Sequence, residues 1–265
     1  MNLELESLHI LITGGSKGIG LACARGFLAE GARVTLVSRT METLLAAQAA
    51  LTKEFGDASR INVVAADLRD ALQAERAVEA IERDFGAVDV LVNSAGAAKR
   101  TPAAELTTDS WHDAMQAKFF TYIHVINPLI KKMGERGRGA VVNVIGSGGK
   151  VAAVTHLAGG AANAALMLAS AGLAAAYASK GVRVNAVNPG LTLTERLQEG
   201  MQAEARQQGI SMEEALTRAK ATRPLGRIAE PSEIADAVVY LASNRASYIT
   251  GAVLAIDGAV TPMVV

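Results

Sequence analysis

Short apolar runs alternate with helical patterns along most of the chain, and this alternation limits the possible folds more than any other feature. Continuous Val, Ile and Leu predict strands at residues 10–12, 33–37, 61–65, 88–92, 140–145, 182–187 and 252–256. Apolar residues at helical spacing predict helices at residues 18–30, 41–55, 71–85, 107–121 continuing to 133, and 160–177. Strands joined by helical crossovers run parallel. We therefore expect an α/β fold with a doubly wound parallel sheet of about seven strands, in three layers α/β/α, as a single domain over residues 1–265.

A glycine-rich turn follows the first predicted strand. Its sequence is Thr13-Gly14-Gly15-Ser16-Lys17-Gly18-Ile19-Gly20, and a helical pattern begins within it. The first N–H groups of a helix lack partners inside the helix, and the positive end of the helix dipole lies with them, so such a turn suits a phosphate group. A βα turn that binds nothing is the alternative. Matching features at later strand ends favour the phosphate site.

Charge and targeting signals point to no macromolecular partner. The chain has 26 basic and 26 acidic residues and a net charge of +0, without a long basic block, so we expect neither a nucleic-acid groove nor a membrane-binding patch. The first ten residues contain acids where a signal peptide carries positive charge, so a cytoplasmic location is expected. We also expect no metal site.

The single cysteine and a long uncharged segment are both explained by burial in the fold. Cys23 is the one cysteine and falls inside the first predicted helix, which favours a buried thiol acting as a small hydrophobic group. Residues 151–179 contain no Asp, Glu, Lys or Arg and are long enough to span a bilayer. Their Ala, Gly, Ser and Thr content gives little drive into lipid, so a buried helix that another helix approaches closely is predicted.

The chain resembles the short-chain dehydrogenase/reductase family over nearly its whole length. The resemblance is carried by the glycine turn and by the ordered motifs Asp67-Leu68, Asn93-Ser94-Ala95-Gly96, Arg183-Val184-Asn185-Ala186-Val187, Asn188-Pro189-Gly190, Pro224-Leu225-Gly226-Arg227, Thr250-Gly251 and Asp257-Gly258. It implies a Rossmann-like sheet that binds a nicotinamide dinucleotide and a small-molecule substrate, in a dimer or tetramer.

The resemblance assigns cofactor contacts residue by residue. The turn that holds the pyrophosphate contains Gly14, Ser16, Lys17, Gly18, Ile19 and Gly20, and the end of the second strand carries Ser38 and Arg39. Asp67 and Leu68 correspond to the adenine contact, and Asn93, Ala95 and Gly96 to the ribose side. Pro189, Gly190, Thr192 and Thr194 correspond to the nicotinamide side. An acid at the end of the second strand would pair with ribose hydroxyls and repel a phosphate. Ser38 and Arg39 stand there instead, with Lys17 nearby in the glycine turn, so NADP(H) is favoured over NAD(H). Solvated loop charges are the alternative.

The catalytic half of the family pattern is absent. Carbonyl-reducing members use a Ser after strand five, a Tyr-x-x-x-Lys pair on the next helix and an Asn on the helix before strand five. In this chain the serine position is Gly146, the tyrosine position is Gly159, the lysine position is Asn163 and the asparagine position is Lys118. Glycine has no proton to give, so the usual mechanism does not carry over.

Three other side chains are candidates for the missing chemistry. Lys118 is predicted to reach into the space of the family lysine, since the Asn and Lys positions look exchanged; a surface or interface lysine is the alternative. His156 has an ordinary pKa of about 6.5 and lies just before Gly159, so it is a candidate proton donor. Ser147, with Lys150 in the same loop, could meet a substrate oxygen. For His156 and Ser147 the alternative is a loop residue without a chemical role.

Three functions are compatible with the sequence. The first is an NADP(H)-dependent oxidoreductase with altered acid–base residues, acting on a carbonyl, alcohol or double bond. The second is a non-catalytic NADP(H)-binding sensor or structural protein, and the third is a non-redox lyase or isomerase. The polar segment 191–221 follows a strand end, where a lid over the ligand crevice is expected, and this favours the first function.

Overall fold

The computed structural model describes residues 1–96 and 98–263, without the side chains of residues 199, 200, 203, 204 and 207. Seven parallel strands form one sheet in the order β3-β2-β1-β4-β5-β6-β7. The strands are β1 His9–Thr13, β2 Arg33–Ser38, β3 Ile61–Ala65, β4 Val90–Asn93, β5 Gly139–Val144, β6 Val182–Pro189 and β7 Val253–Ile256. The order reverses at β1, so the carboxyl ends of β1 and β4 flank the crevice where ligands bind in open α/β sheets.

Helices cover both faces of the sheet. In the described residues they are α1 Gly18–Ala29, α2 Met41–Phe55, α3 Ala71–Phe85, α4 Thr108–Ala114, α5 Thr121–Arg136, α6 Leu157–Tyr177, α7 Glu195–Gln208, α8 Met212–Ala221 and α9 Pro231–Ala242. A π-helical stretch, Met115–Phe120, joins α4 to α5.

Alternation along the strands divides the core into two clusters. Ile10 and Ile12 of β1 pack with α1, α2 and α9, whereas Leu11 packs on the opposite face with α3, α5 and α6. Successive side chains of a strand point to opposite faces, so a central strand buried on both sides must be apolar throughout. The predicted three-layer Rossmann-like α/β fold is confirmed.

Most predicted boundaries agree within a few residues, and α9 was missed. The missed helix carries its own start signal: Pro231 stands in its first turn, and the Glu230 N–H donates to the Glu233 carboxylate at 2.9 Å. The start of α6 was predicted at about residue 160, and the helix begins three residues earlier, at Leu157. Gly159 and Gly160 lie inside it, where close packing from neighbouring loops requires glycine.

One face of α6 is buried and the other is open, so the helix is less buried than predicted. Leu166 and Ala174 belong to the core on the sheet side, while Leu168 is 78% exposed. By length and composition alone the segment Leu157–Lys180 could cross a membrane. A single such helix is weak evidence, because core helices pass the same test.

Candidate active site

The glycine turn is shaped for a phosphate. Gly14 and Gly18 have φ of +66° and +56°, and a Cβ at Gly20 would lie 2.2 Å from the Gly14 carbonyl oxygen. The turn is therefore closed tightly over the start of α1, and it includes Ser16, Lys17 and Ile19. No described side chain caps this helix end, so its first N–H groups are available to a ligand. The turn fits the pyrophosphate of a dinucleotide.

Cationic side chains lie at the neighbouring strand ends. The Ala66 N–H donates to the Ser38 carbonyl at 2.9 Å, which sets Ser38 and Arg39 beside Asp67. Hydrogen bonds from Arg69 lower the pKa of Asp67, and the charge of Arg39 lowers it further. Lys17 Nζ lies 3.9 Å from Glu195 Oε2, and both side chains are well exposed. Arg39 thus lies near Asp67 at the end of β2, whereas Lys17 lies in the glycine turn against Glu195 of α7. Their contact with a 2′-phosphate stays a prediction.

Buried hydrogen bonds align the strand ends under the crevice. Thr13 Oγ1 donates to Asn93 Oδ1 at 3.2 Å, Asn93 Nδ2 donates to Asn143 Oδ1 at 3.0 Å, and Asn143 Nδ2 donates to Ser170 Oγ at 2.9 Å. Thr13 Oγ1 also accepts from the Ala95 N–H at 3.3 Å. This chain of bonds fixes the start of the loop after β4, where the ribose contacts are predicted, relative to the glycine turn.

The residues predicted to contact the nicotinamide connect β6 to α7. Gly190 N–H donates to the Ile256 carbonyl at 2.9 Å, and Thr192 Oγ1 donates to the Gly190 carbonyl at 3.3 Å. Thr194 caps α7 by accepting from the Leu197 N–H at 3.3 Å. A Cβ at Gly18 would lie 3.3 Å from Thr194 Cγ2, so the start of α7 touches the glycine turn. Pro189 ends β6 directly before this connection.

Lys118 is buried at the end of β5. It is the buried residue of the π-helical stretch, and its Nζ donates to the Tyr122 hydroxyl at 2.9 Å and to the Val144 carbonyl at 3.1 Å. Burial, with the charge of Arg196 adding to it, lowers the pKa of Lys118 to about 7. Lys118 is therefore not a surface lysine, and its amine can exchange a proton near neutrality. Its exchange of roles with Asn163 stays a prediction.

The His156 ring takes the space beside Gly159. A Cβ at Gly159 would lie 2.2 Å from His156 Cε1 and 2.6 Å from Nε2, and a Cβ at Gly148 would lie 3.1 Å from Cδ2. The imidazole thus stands where the side chain of the family tyrosine would begin. His156 Nδ1 is buried and has no hydrogen-bond partner among the described residues. A buried ring nitrogen without a partner is rare in folded proteins and marks a position that a functional role or a bound group would explain.

The serine position has a backbone that only glycine adopts readily. Gly146 has φ of +129°, its N–H donates to Asn188 Oδ1 at 3.3 Å, and a Cβ there would lie 3.4 Å from Asn163 Nδ2. Ser147 lies beside it but lines a small cavity with Lys150, Asn188 and Asp257. Its hydroxyl bonds to none of the described residues. The structure brings His156 and Gly159 together and sets Ser147 against another group of side chains.

Two arginines that the sequence analysis did not single out also lie near His156. Burial lowers the pKa of His156, and the charges of Arg100, Arg196 and Lys118 lower it further. Arg196 occupies the first turn of α7, a position where acids are favoured and a cation is unusual. A cation at this helix position is the one feature of the sequence that could have singled out Arg196. Nothing in the local pattern around Arg100 indicates a role.

Comparison with known proteins identifies the family. A family model described as Enoyl-(Acyl carrier protein) reductase matches residues 14–261. The D-threitol dehydrogenase of Mycolicibacterium smegmatis is 35% identical over 98% of this chain and 95% of its own length. The L-sorbose reductase from Gluconobacter frateurii, solved with NADPH and L-sorbose, superposes with a TM-score of 0.94 at 30% identity, covering 100% of both chains. An NADPH-bound short chain oxidoreductase from Pseudomonas aeruginosa PAO1, described as containing an atypical catalytic center, gives a TM-score of 0.88 at 33% identity over 98% of this chain and 100% of that one. The present chain belongs to the short-chain dehydrogenase/reductase family.

Proposed function

We propose that this protein is an NADP(H)-dependent oxidoreductase that interconverts a carbonyl and an alcohol, with His156 in place of the family tyrosine as the proton carrier. The observation that carries the proposal is the imidazole beside Gly159, with a buried Nδ1 that no described residue engages. The redox chemistry is supported by the dehydrogenases and reductases among the relatives.

The dinucleotide, when bound, supplies or accepts the hydride. The glycine turn and the start of α1 would hold its pyrophosphate, and Lys17 and Arg39 would hold the 2′-phosphate. In the reducing direction a protonated His156 gives its proton to the carbonyl oxygen as the alcohol forms. In the oxidising direction neutral His156 takes the alcohol proton. Lys118 lies close enough for its charge to act on the His156 ring.

The proposed direction of the pH dependence follows from the lowered pKa of His156. The protonated imidazole is the reactive form for reduction, so kcat/KM for reduction should fall as the pH rises through that pKa. The neutral form serves oxidation, so kcat/KM for oxidation should rise through the same pKa. Because the pKa lies below the usual value for histidine, the neutral form predominates at pH 7.

We also propose that residues 191–221, with α7 and α8, act as the lid over the substrate. A groove of about 530 Å³ lies between these helices, lined by Leu193, Glu195, Gln198, Gln202, Met212 and Leu216. His156 is not among the residues that line this groove, so we place the reacting carbonyl in the space that His156 and Gly159 border.

Self-association as a dimer or tetramer belongs to the same proposal. The outer face of α6 carries Leu168, and a Cβ at Gly172 would meet no atom within 4 Å. A face of small residues with an exposed leucine suits close approach by a second helix. Sedimentation velocity should give a mass of two or four chains, and a monomer at micromolar concentration would refute the assignment.

A non-catalytic NADP(H)-binding protein is the second candidate function. The observation that favours it is the pair Gly159 and Asn163, which offers neither the hydroxyl nor the amine of the family mechanism.

NADPH oxidation with a broad panel of ketones, aldehydes and keto sugars tests the proposal. We expect turnover, and we expect His156→Ala to lower kcat at least tenfold and to abolish the pH dependence assigned above. His112→Ala, in the exposed part of α4, is the matched control and should behave like the wild type. Tight NADPH binding without turnover of any panel member would favour the non-catalytic function, and unchanged kinetics of His156→Ala would remove His156 from the mechanism.

A further inference from the structure

Asn163 is a buried asparagine whose side-chain amide bonds to none of the described residues. It stands in the second turn of α6 and is 6% exposed. The four other asparagines buried in the described part of the chain all have side-chain hydrogen bonds, namely Asn93, Asn143, Asn185 and Asn188. Buried polar groups are nearly always paired, so this amide marks a position that a bound group would explain.

The Asn163 amide also borders open space. Among the described residues, the side-chain nitrogen and oxygen atoms that are both fully enclosed and without a partner are His156 Nδ1 and Arg223 Nε. The amide atoms of Asn163 are not in that group, although they make no hydrogen bond to a described residue. They are therefore within reach of a molecule that enters the space next to them.

Glycines bring the loop after β5 directly onto α6, and this sets the place of Asn163. A Cβ at Gly149 would lie 2.7 Å from the Ala164 N, and a Cβ at Gly160 would lie 2.7 Å from the Gly148 carbonyl oxygen. Contacts this short leave no room for a side chain, so the backbones of the loop and the helix touch. Helix positions 160 and 163 lie on the same face, so Asn163 faces the same loop.

The Asn163 amide touches the space of the family serine. Carbonyl-reducing members carry a serine at the position of Gly146, and a Cβ at Gly146 would lie 3.4 Å from Asn163 Nδ2. The second asparagine beside Gly146 is engaged, since Asn188 Oδ1 accepts from the Gly146 N–H at 3.3 Å and Asn188 Nδ2 donates to Met167 Sδ at 3.5 Å. Of the two asparagines, Asn163 is the one with N–H groups to offer to a ligand.

The same amide nitrogen lies near the His156 ring. A Cβ at Gly148 would lie 3.6 Å from Asn163 Nδ2, 3.1 Å from His156 Cδ2 and 3.8 Å from His156 Nε2. Asn163 Nδ2 and His156 Nε2 are thus both within 4 Å of one point on the loop. A hydrogen-bond donor and a proton carrier that converge in this way can act on one oxygen atom of a bound molecule.

From this geometry we infer that Asn163 is a catalytic residue whose side-chain N–H binds the carbonyl oxygen of the substrate. The inference rests on the proposed function. When a hydride adds to the carbonyl carbon, the electron pair of the C=O π bond moves onto the oxygen, and the Asn163 N–H stabilises the charge that develops there. Protonated His156 gives its proton to this oxygen, and an alcohol and a neutral imidazole result.

Steady-state kinetics with a turned-over member of the carbonyl panel test the role of Asn163. Asn163→Ala should lower kcat about a hundredfold, because the lost hydrogen bond is strongest in the transition state. The dissociation constant of NADPH and the midpoint of the pH profile should stay unchanged, since the amide carries no charge. Asn244→Ala, at an exposed position after α9, is the matched control and should behave like the wild type. A raised dissociation constant of NADPH with unchanged kcat would assign Asn163 to cofactor binding and overturn the inference.

Binding of an unreactive carbonyl compound tests the contact without turnover. An amide carbonyl accepts hydrogen bonds and is not reduced by NADPH, so we would titrate the NADPH-saturated protein with isobutyramide and with benzamide by isothermal calorimetry. One of the two should bind, and its dissociation constant should rise about tenfold in Asn163→Ala. Asn163→Asp keeps the shape of the side chain and replaces the N–H donor by a carboxylate oxygen, so it should lose the same affinity. Asn244→Ala should bind the probe like the wild type.

The outcomes separate this inference from the proposed function. Probe binding that is the same in the wild type and both Asn163 variants, or no binding of either amide to the wild type, would overturn the inference while leaving the oxidoreductase intact. So would unchanged kcat in Asn163→Ala. Probe binding that depends on Asn163, without turnover of any member of the carbonyl panel, would support the donor site and refute the oxidoreductase.

Discussion

The buried amine of Lys118 should make folding stability depend on pH in a way that one substitution removes. Its Nζ lies between the Tyr122 hydroxyl and the Val144 carbonyl, and no acid among the described residues contributes to the shift of its pKa from 10.5 to about 7. An unfolded chain exposes the same amine to water, where the ordinary pKa applies. The unfolded state therefore binds a proton that the folded state gives up.

The sign and size follow from that difference. Between pH 7 and pH 9 the unfolded chain stays protonated at this lysine while the folded chain loses the proton, so the free energy of unfolding rises with pH. With the two pKa values above, the gain attributable to Lys118 over these two pH units is about 2 kcal/mol. Below pH 7 both states are increasingly protonated, and the contribution levels off.

Urea unfolding followed by circular dichroism at pH 7 and pH 9 measures this gain. We would compare the wild type with Lys118→Met, which keeps the length of the side chain and removes the charge. The wild type should gain about 2 kcal/mol more than the variant between the two pH values. Lys131→Met, at an exposed position of α5, controls for general effects of removing a lysine. The same pH dependence in the wild type and Lys118→Met would refute the assignment of a buried amine with a lowered pKa.

Three further predictions follow from contacts in and under the crevice. Gly159→Ala should lower the free energy of unfolding by about 1–3 kcal/mol, because its Cβ would overlap the His156 ring, and His156→Ala in the same chain should restore part of the loss, since the contact with Ala98 Cβ at 2.8 Å remains; additive effects would contradict the contact with His156. Lys17→Gln and Arg39→Gln should each weaken NADPH binding about tenfold in a fluorescence titration and leave NADH binding nearly unchanged; equal losses for both cofactors would remove these cations from the 2′-phosphate site. Ser170→Ala should destabilise the fold by about 1–3 kcal/mol in urea unfolding, because the buried side-chain amide of Asn143 loses its acceptor. A loss of less than about 0.5 kcal/mol would contradict this and would indicate that a water molecule replaces the hydroxyl.

Local pattern was sufficient for the sheet and most helices. Strands that are buried on both faces appear in the sequence as unbroken apolar runs. Because helices alternate with these strands along the chain, the strands pair in parallel. The start of α6 was placed too late because Gly159 and Gly160 weaken the helical pattern. Contacts with other parts of the chain require glycine there, since a Cβ at Gly160 would lie 2.7 Å from the Gly148 carbonyl oxygen. The π-helical stretch that holds Lys118 is too short to show a periodic pattern of its own in the sequence.

The candidate site was predicted in part. The glycine turn, the cations Lys17 and Arg39 and the absent tyrosine are properties of single positions, so they can be read from the sequence. His156 and Gly159 are three residues apart, a spacing that brings side chains together at a helix start. Arg100 and Arg196 come from two elements almost a hundred residues apart, and only the folded chain brings them to the same histidine.

The hydrogen-bonded line from Thr13 through Asn93 and Asn143 to Ser170 also bears on how the protein folds. Its three links join residues separated by 80, 50 and 27 positions, so each one closes a long loop of chain. Contacts of such high sequence separation form late, after their entropic cost has been met by the rest of the sheet. A partly folded or truncated chain would therefore lack the crevice altogether. The dinucleotide would bind the native state alone and stabilise it in proportion to its concentration, so a dose-dependent rise in melting temperature would count correctly folded molecules even before any substrate is known.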